Sequence, residues 1–355
     1  MTPEGPPPSA GRSVRSVVPR VLRRGAALVV LIVIVEYLVV PRLVGASHHL
    51  DLLGRIRPGW LVAGIVLEAA SLFCYALLTR TLLPHDRPRL SRLVRIVLAT
   101  TALEHVVPAG AVAGPGLTVQ LLHAEGVAPA DAAFLVVTEA TGSAIVLNAM
   151  LWIALLVSIP LVGVRPVYLV VAVLGLVAML LVAALIYTFT RGQERAVRVV
   201  RWLGDHAPRV GADQFERAVR RVGDSVSQLG RSRDVLWRGT LWAALNWLLD
   251  AASLWSFVAA FGYAMRPIEL FVAYGVAYVL AVIPVVPAGL GVVEATTLSL
   301  LVGFGVPPSV ATFGVLAWRL VNFWLPIPIG AAAYVSLRLP RGRRRPSGGQ
   351  PSLGQ

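Results

Sequence analysis

One stretch of this chain occurs twice, and it limits the folds available more than any other feature. Val107-Pro108-Ala109-Gly110 returns as Val286-Pro287-Ala288-Gly289, an offset of 179 residues, and the register then holds without a gap. Thr118 falls on Thr297, Leu121-Leu122 on Leu300-Leu301, Gly126-Val127 on Gly305-Val306, Pro129 on Pro308, Ala132 on Ala311 and Phe134 on Phe313. Each copy sets Pro and Gly inside apolar sequence, where a continuous helix would lose a backbone hydrogen bond and order the most flexible residue type. Interrupted helices at corresponding positions of two halves point to a transport site. The alternative is that the small residues only let helices approach one another closely.

The solvent for such a fold is a bilayer. The chain has 355 residues, 57% of them hydrophobic and only 14% charged, with a mean hydropathy of +0.74. That composition belongs to an all-α integral membrane protein. The net charge of +14 comes from arginine alone, as the sequence has no lysine. The arginines lie mainly between and beside the apolar runs, which fits membrane topology and anionic lipid better than nucleic acid. Cys74, the single cysteine, has no partner for a disulfide or a thiolate metal site. Zinc-protease, nucleotide-binding and serine-hydrolase motifs are absent, so neither an enzyme nor a bound cofactor or metal is expected.

Read in order, residues 1–24 form a basic tail expected to be disordered and cytoplasmic. Full spans are expected at about 25–40, 60–78, 132–157, 167–187, 240–261 and 310–337. The two motif regions, about 93–122 and 268–304, have limbs of about 15 residues, short of the roughly 20 needed to cross, and so read as re-entrant hairpins. Residues 191–238 carry arginine throughout and an apolar stripe of Phe215, Val219, Val222, Val226 and Leu229, which describes a cytoplasmic amphipathic helix. Residues 339–355 form a second basic tail. Three single spans separate the hairpins, so the two copies would enter from opposite faces. The expected architecture is therefore one polytopic domain, 25–338, with six full spans and two hairpins in an inverted repeat of units 60–157 and 240–337, both termini cytoplasmic.

Ionisable groups at membrane depth are costly and so are candidates for function. Glu294 follows the second motif directly, where a helix start would present N–H groups to a phosphate or carboxylate. Arg319 is the arginine deepest in an apolar stretch, and its fork suits bidentate phosphate binding. The two would otherwise neutralise each other as a structural pair. Pro287, Gly289, Gly291, Pro108 and Gly110 shape the two breaks. Glu104, Glu139 and Asp250 form a second tier, with Glu36 and Glu68 behind them. His105 is a weaker candidate for a proton relay. Asn148, Asn246 and Asn322 read as packing contacts, and Trp242, Trp247, Trp255, Trp318 and Trp324 chiefly as lipid-facing.

The run Val286-Pro287-Ala288-Gly289-Leu290-Gly291-Val292-Val293-Glu294, then Gly305-Val306-Pro307, Leu316-Ala317-Trp318-Arg319 and Phe323-Trp324-Leu325-Pro326, resembles the flippase-like transmembrane domain of lysylphosphatidylglycerol synthases. The resemblance covers about residues 20–338 and marks Pro287, Gly289, Gly291, Glu294 and Arg319. It implies translocation of an anionic, aminoacylated or glycosylated lipid between leaflets of the cytoplasmic membrane. Two departures qualify it. No acidic residue follows the glycines of the first motif, and nothing after Pro340 is long enough to form the soluble synthase domain. The expected partners are membrane lipids, anionic ones foremost. A secondary carrier for a small solute and a non-transporting assembly factor for cell-envelope enzymes are the competing expectations.

Overall fold

The computed structural model describes residues 54, 56–83, 88–107, 110–162, 173, 176–177, 180, 232–281 and 289–339. The expected first span, both tails, nearly all of the 167–187 span and most of the 191–238 segment lie outside them, as do Pro108 and Pro287 themselves. The described chain is helical, without strands. In order it runs α1 (Pro58–Leu82), α2 (Leu90–Val106), α3 (Gly110–Ala124), α4 (Pro129–Val162), α5 (Arg233–Ala260), α6 (Pro267–Ala281), α7 (Val292–Gly303), α8 (Pro308–Arg319), a π-helical turn (Leu320–Trp324) and α9 (Pro326–Arg338). Four stretches are long and apolar enough to cross a membrane: Pro58–Leu82, Pro129–Ser158, Arg233–Ala260 and Pro308–Arg338.

Proline sets many of the starts. Five of these helices open on Pro, whose fixed φ suits the first turn and whose missing N–H has no partner to lose there. The ends of α3 and α7 show what the duplicated sequence encodes. After α3, Gly126 takes φ 95°, its N–H reaches His123 O at 2.9 Å, and Val127 N–H returns to Leu122 O at 3.1 Å. After α7, Gly305 takes φ 94°, its N–H reaches Val302 O at 2.9 Å, and Val306 N–H returns to Leu301 O at 3.0 Å. Both are Schellman stops, in which only glycine adopts the left-handed residue without strain. The apolar contact that accompanies the motif is present in each, with Leu122, Val127, Leu301 and Val306 all buried.

The limbs around the two motif breaks are short. The α2 and α3 helices have 17 and 15 residues, α6 and α7 have 15 and 12. At 1.5 Å per residue these reach about 18–26 Å, less than the roughly 30 Å of a hydrocarbon core.

Packing exchanges partners between the halves. The first spans, α1 and α5, lie against each other, tied by Asn246 Nδ2–H to Ser71 Oγ at 2.8 Å and Ser71 Oγ–H to Asn246 O at 3.0 Å. The α2 helix, before the first motif, packs on α9 of the later half, and α6, before the second, packs on α4 of the earlier half. The α2–α9 crossing is so close that a Cβ at Gly330 would strike the Leu98 carbonyl. Interhelical contact through small residues is the usual device where lipid offers no hydrophobic drive. Two apolar cores result, one around Leu93, Ile96, Leu122 and Leu135, the other around Leu151, Phe257, Tyr274 and Trp318. Outward-facing Val62, Val66, Ile153 and Leu156 are exposed, as expected of surfaces that meet acyl chains.

Candidate functional site

The second break begins with two glycines that only glycine fills easily. Gly289 has φ 66° and Gly291 φ 81°, and Gly291 is the N-cap of α7. Glu294, in the first turn, turns back so that its Oε2 accepts the Gly291 N–H at 2.5 Å. This is half of a capping box, and it places a carboxylate at the positive end of the helix. The other oxygen, Oε1, lies 2.5 Å from Arg319 Nε. Sequence reasoning expects the helix start to offer its N–H groups to a ligand. In this conformation the Gly291 N–H is taken by the protein's own Glu294.

Arg319 closes α8 and is only 2% exposed. Its guanidinium lies 5.2 Å from the Trp318 ring centroid and 5.6 Å from that of Phe323. Ion pairing and two aromatic faces together offset its removal from water. Phe323 also stacks on His105 at 4.1 Å, and its carbonyl meets His105 Nδ1 at 2.9 Å. His105 is thus held between α2 and the π turn.

Beside this pair lies a buried network that the sequence hardly announces. Asp250 on α5 accepts four hydrogen bonds. Trp318 Nε1–H at 2.8 Å and Asn322 Nδ2–H at 3.2 Å reach Oδ1, while the hydroxyls of Tyr274 at 2.8 Å and Tyr278 at 3.2 Å reach Oδ2. Asn322 also donates to Glu68 Oε1 at 2.9 Å. Asn322 therefore bridges two carboxyls, a correction to its reading as a packing contact. Tryptophans also depart from expectation: Trp318 is fully buried, Trp247 Nε1–H bonds to Ser143 Oγ at 2.9 Å, and Trp255 Nε1–H to the Met265 carbonyl at 2.9 Å. Indole N–H groups pointing inward are satisfied by protein instead of an interfacial headgroup.

At the first break the acid comes from the limb before it. The Glu104 carboxyl occupies the space a Cβ at Gly114 would need, and its backbone carbonyl lies where a Cβ at Gly110 would fall. The missing acid after the first motif's glycines thus has a substitute in space. Glu139 on α4 accepts the Thr79 hydroxyl at 2.5 Å, with Tyr75 and Glu104 nearby. Glu104 and Glu139 therefore form a group apart from Glu294, Arg319 and Asp250. Asn148 bonds to Ala144 O of its own helix at 3.2 Å and joins neither group.

Two wide grooves open between the helices. One, of 360 Å³, runs between α1, α2 and the π turn with α9; the other, of 490 Å³, runs between α5, α6 and α4. Each is made by the long first helix of one half, the short helix before that half's motif and the last long helix of the other half. Among the described residues no group of His, Cys, Asp and Glu has the arrangement of a metal site.

The chain is similar to known membrane proteins. A UPF0104 membrane protein of Methanothermobacter thermautotrophicus is 21% identical over 323 residues, covering 88% of this chain and 95% of its own length. A second UPF0104 membrane protein of that organism is 25% identical over 174 residues, 47% of this chain and 52% of its own. Residues 25–330 match the lysylphosphatidylglycerol synthase TM region. With residues 25–330 matched, the chain belongs to the lysylphosphatidylglycerol synthase TM region family.

Proposed function

We propose that the chain is a lipid translocator that moves an anionic, aminoacylated or glycosylated lipid between the leaflets of the cytoplasmic membrane, with no enzymatic step of its own. The observation that carries this reading is the buried Arg319–Glu294 pair, set where a split hairpin meets a broken span. A permanently charged guanidinium at membrane depth is retained where it has work to do on a charged ligand. Glu294 holds that charge in the absence of a headgroup, and a phosphate displaces it as the partner of Arg319.

Alternating exposure follows from the duplicated architecture. The halves are read as inverted units, with six full spans, two re-entrant hairpins and both termini cytoplasmic. Support comes from the matching Schellman stops, from the exchanged packing of α2 on α9 and α6 on α4, and from one pair of hydrogen bonds. Glu68 meets Asn322, and 179 residues along the register Trp247 meets Ser143: each bond joins the first span of one half to the last span of the other. A two-fold relation generates such pairs. The apolar grooves give the tails a path beside the protein while the headgroup passes within it, which suits a lipid better than a hydrophilic solute.

The test is transfer of fluorescent headgroup-labelled lipids in proteoliposomes, scored by exposure to an external quencher. Wild type should move lipid and Arg319→Gln should not. Equal transfer by the two removes Arg319 from the headgroup site. Wild type that moves no lipid across a panel of anionic, aminoacylated and glycosylated headgroups overturns the reading in favour of a solute carrier or an envelope assembly factor.

A further inference from the structure

Glu68 is the ionisable residue in the lining of the 360 Å³ groove, whose walls include Ile65, Phe73, Val94, Leu98, Leu325 and Ile329. It is 3% exposed. Its Oε1 shares the Asn322 amide with Asp250, and its Oε2 is buried and receives no N–H or O–H from the described residues. Within reach of the Glu68 carboxyl stand the Ser253 hydroxyl, which donates to the Gly64 carbonyl at 2.9 Å, and a second acid, Asp250. Asp250 differs sharply from it, because four side-chain donors converge on its two oxygens. Glu68 has far fewer donors: it shares the Asn322 amide with Asp250, and the nearby Ser253 hydroxyl donates to the Gly64 carbonyl. Two buried carboxyls that share one amide disfavour charge on both at once, an arrangement suited to holding a single proton.

Among the described residues the cation facing the site, Arg319, is ion-paired to Glu294. Asp250 faces the site from α5, Tyr274 and Tyr278 from α6, and Arg319 from α8 with Glu294 against it. The α2 wall presents Val94, Val97 and Leu98. An ammonium group at Glu68 would need acceptors for three N–H bonds, and a metal cation several oxygens. Apolar walls provide neither, but a proton needs only one oxygen.

We propose that Glu68 and Asp250 form a proton-binding pair that couples this protein's transport cycle to a proton gradient, an inference that rests on the lipid-translocation reading. In the step itself an O–H bond breaks at Glu68 and one forms at Asp250, the negative charge moving the opposite way, with no change of oxidation state. Once neutral, Asp250 is a weaker acceptor for Trp318, Tyr274 and Tyr278. Its hold on α6 and α8 loosens, and Arg319 is the residue next to Trp318.

Two measurements test this on the full chain. Infrared spectra of the purified protein in micelles should contain a protonated-carboxyl C=O band that disappears in Glu68→Gln or Asp250→Asn and persists in Glu294→Gln. A spectrum without any such band dependent on Glu68 or Asp250 overturns the pair. In proteoliposomes with a lumenal pH dye, a gradient of about one pH unit should shift the lipid distribution about tenfold for one proton per cycle, with matching lumenal acidification. Glu68→Gln should lose that response, and Asp250→Asn serves as the second variant should Glu68→Gln fail to fold. Lipid movement in wild type that ignores the gradient sinks the coupling and leaves translocation standing. No lipid movement at all, with the dye also silent, sinks both.

Discussion

Replacing Asp250 by Leu should destabilise the helix bundle by an amount that can be set from its four bonds. Asn322 retains Glu68 as an acceptor, so the substitution strands three donors: Trp318 Nε1–H, Tyr274 O–H and Tyr278 O–H. Hydrogen bonds between transmembrane helices contribute about 0.6 kcal/mol on average and up to about 1.7, giving a loss of roughly 2–5 kcal/mol. Asp250→Asn keeps one carbonyl oxygen and therefore the Trp318 and Asn322 bonds or the tyrosine pair, so it should lose about 1–2 kcal/mol by the same scale. The assay is equilibrium unfolding in mixed detergent micelles, with Trp318→Phe added as a double-mutant cycle. In the Asp250→Leu background Trp318→Phe should cost less than it does alone, because the indole N–H has already lost its acceptor. Stability of Asp250→Leu within about 0.5 kcal/mol of wild type, or additivity in the cycle, would refute the network as a structural tie.

Two further substitutions test the backbone geometry. Gly330→Ala puts a Cβ 2.5 Å from that of Ala102 and into the Leu98 carbonyl, so α9 must lift from α2; thermal denaturation in detergent should register a loss of about 1–3 kcal/mol, typical of overpacking. Gly291→Ala meets open space and should incur only the left-handed strain of about 1–2 kcal/mol, whereas Gly289→Ala adds a Cβ 2.8 Å from that of Ala281 and should be clearly worse in the same assay.

The parts of this fold that were legible in the sequence are those dictated by local rules. The recurrence of Gly126-Val127 and Pro129 at Gly305-Val306 and Pro308 encodes a Schellman stop followed by a proline start, and both can be read from residue type alone. Glu294 and Arg319 stood out because a charge in an apolar run is costly wherever the run folds. Asp250 and Glu68 are equally costly but carry no such local mark, since nothing in α1 or α5 tells which acid will gather donors from α6, α8 and the π turn. Asn322 carried a usable signal: it follows Trp318 by one helical turn, as Phe323 follows Arg319, so two side-chain pairs share one stretch on adjacent faces. The substitution of Glu104 for the missing acid of the first motif was beyond reach, because it depends on how α2 folds back over Gly114.

The second half differs from the first at the place where the last span breaks. In the first half α4 runs 34 residues without interruption. In the second, Leu325 N–H bonds five residues back to Leu320 O at 2.9 Å, and Pro326 then supplies no N–H at all. A π turn of this kind is a frequent mark of a functional site, since it is less stable than the helix it replaces. At the 179-residue register Ala140 stands in place of Arg319, and Ser143 in place of Asn322. The bond of Trp247 to Ser143 is accordingly neutral, while its counterpart joins Asn322 to the acidic Glu68. Arg319 and the broken last span thus coincide in the second half. Trp318 and Asn322 point to Asp250, Arg319 to Glu294 and Phe323 to His105, all from a single stretch of about two turns. Any rotation of that stretch must alter the bonds to Asp250 and the ion pair together, whereas α4, which carries Glu139, runs on as one helix with no π turn to respond through.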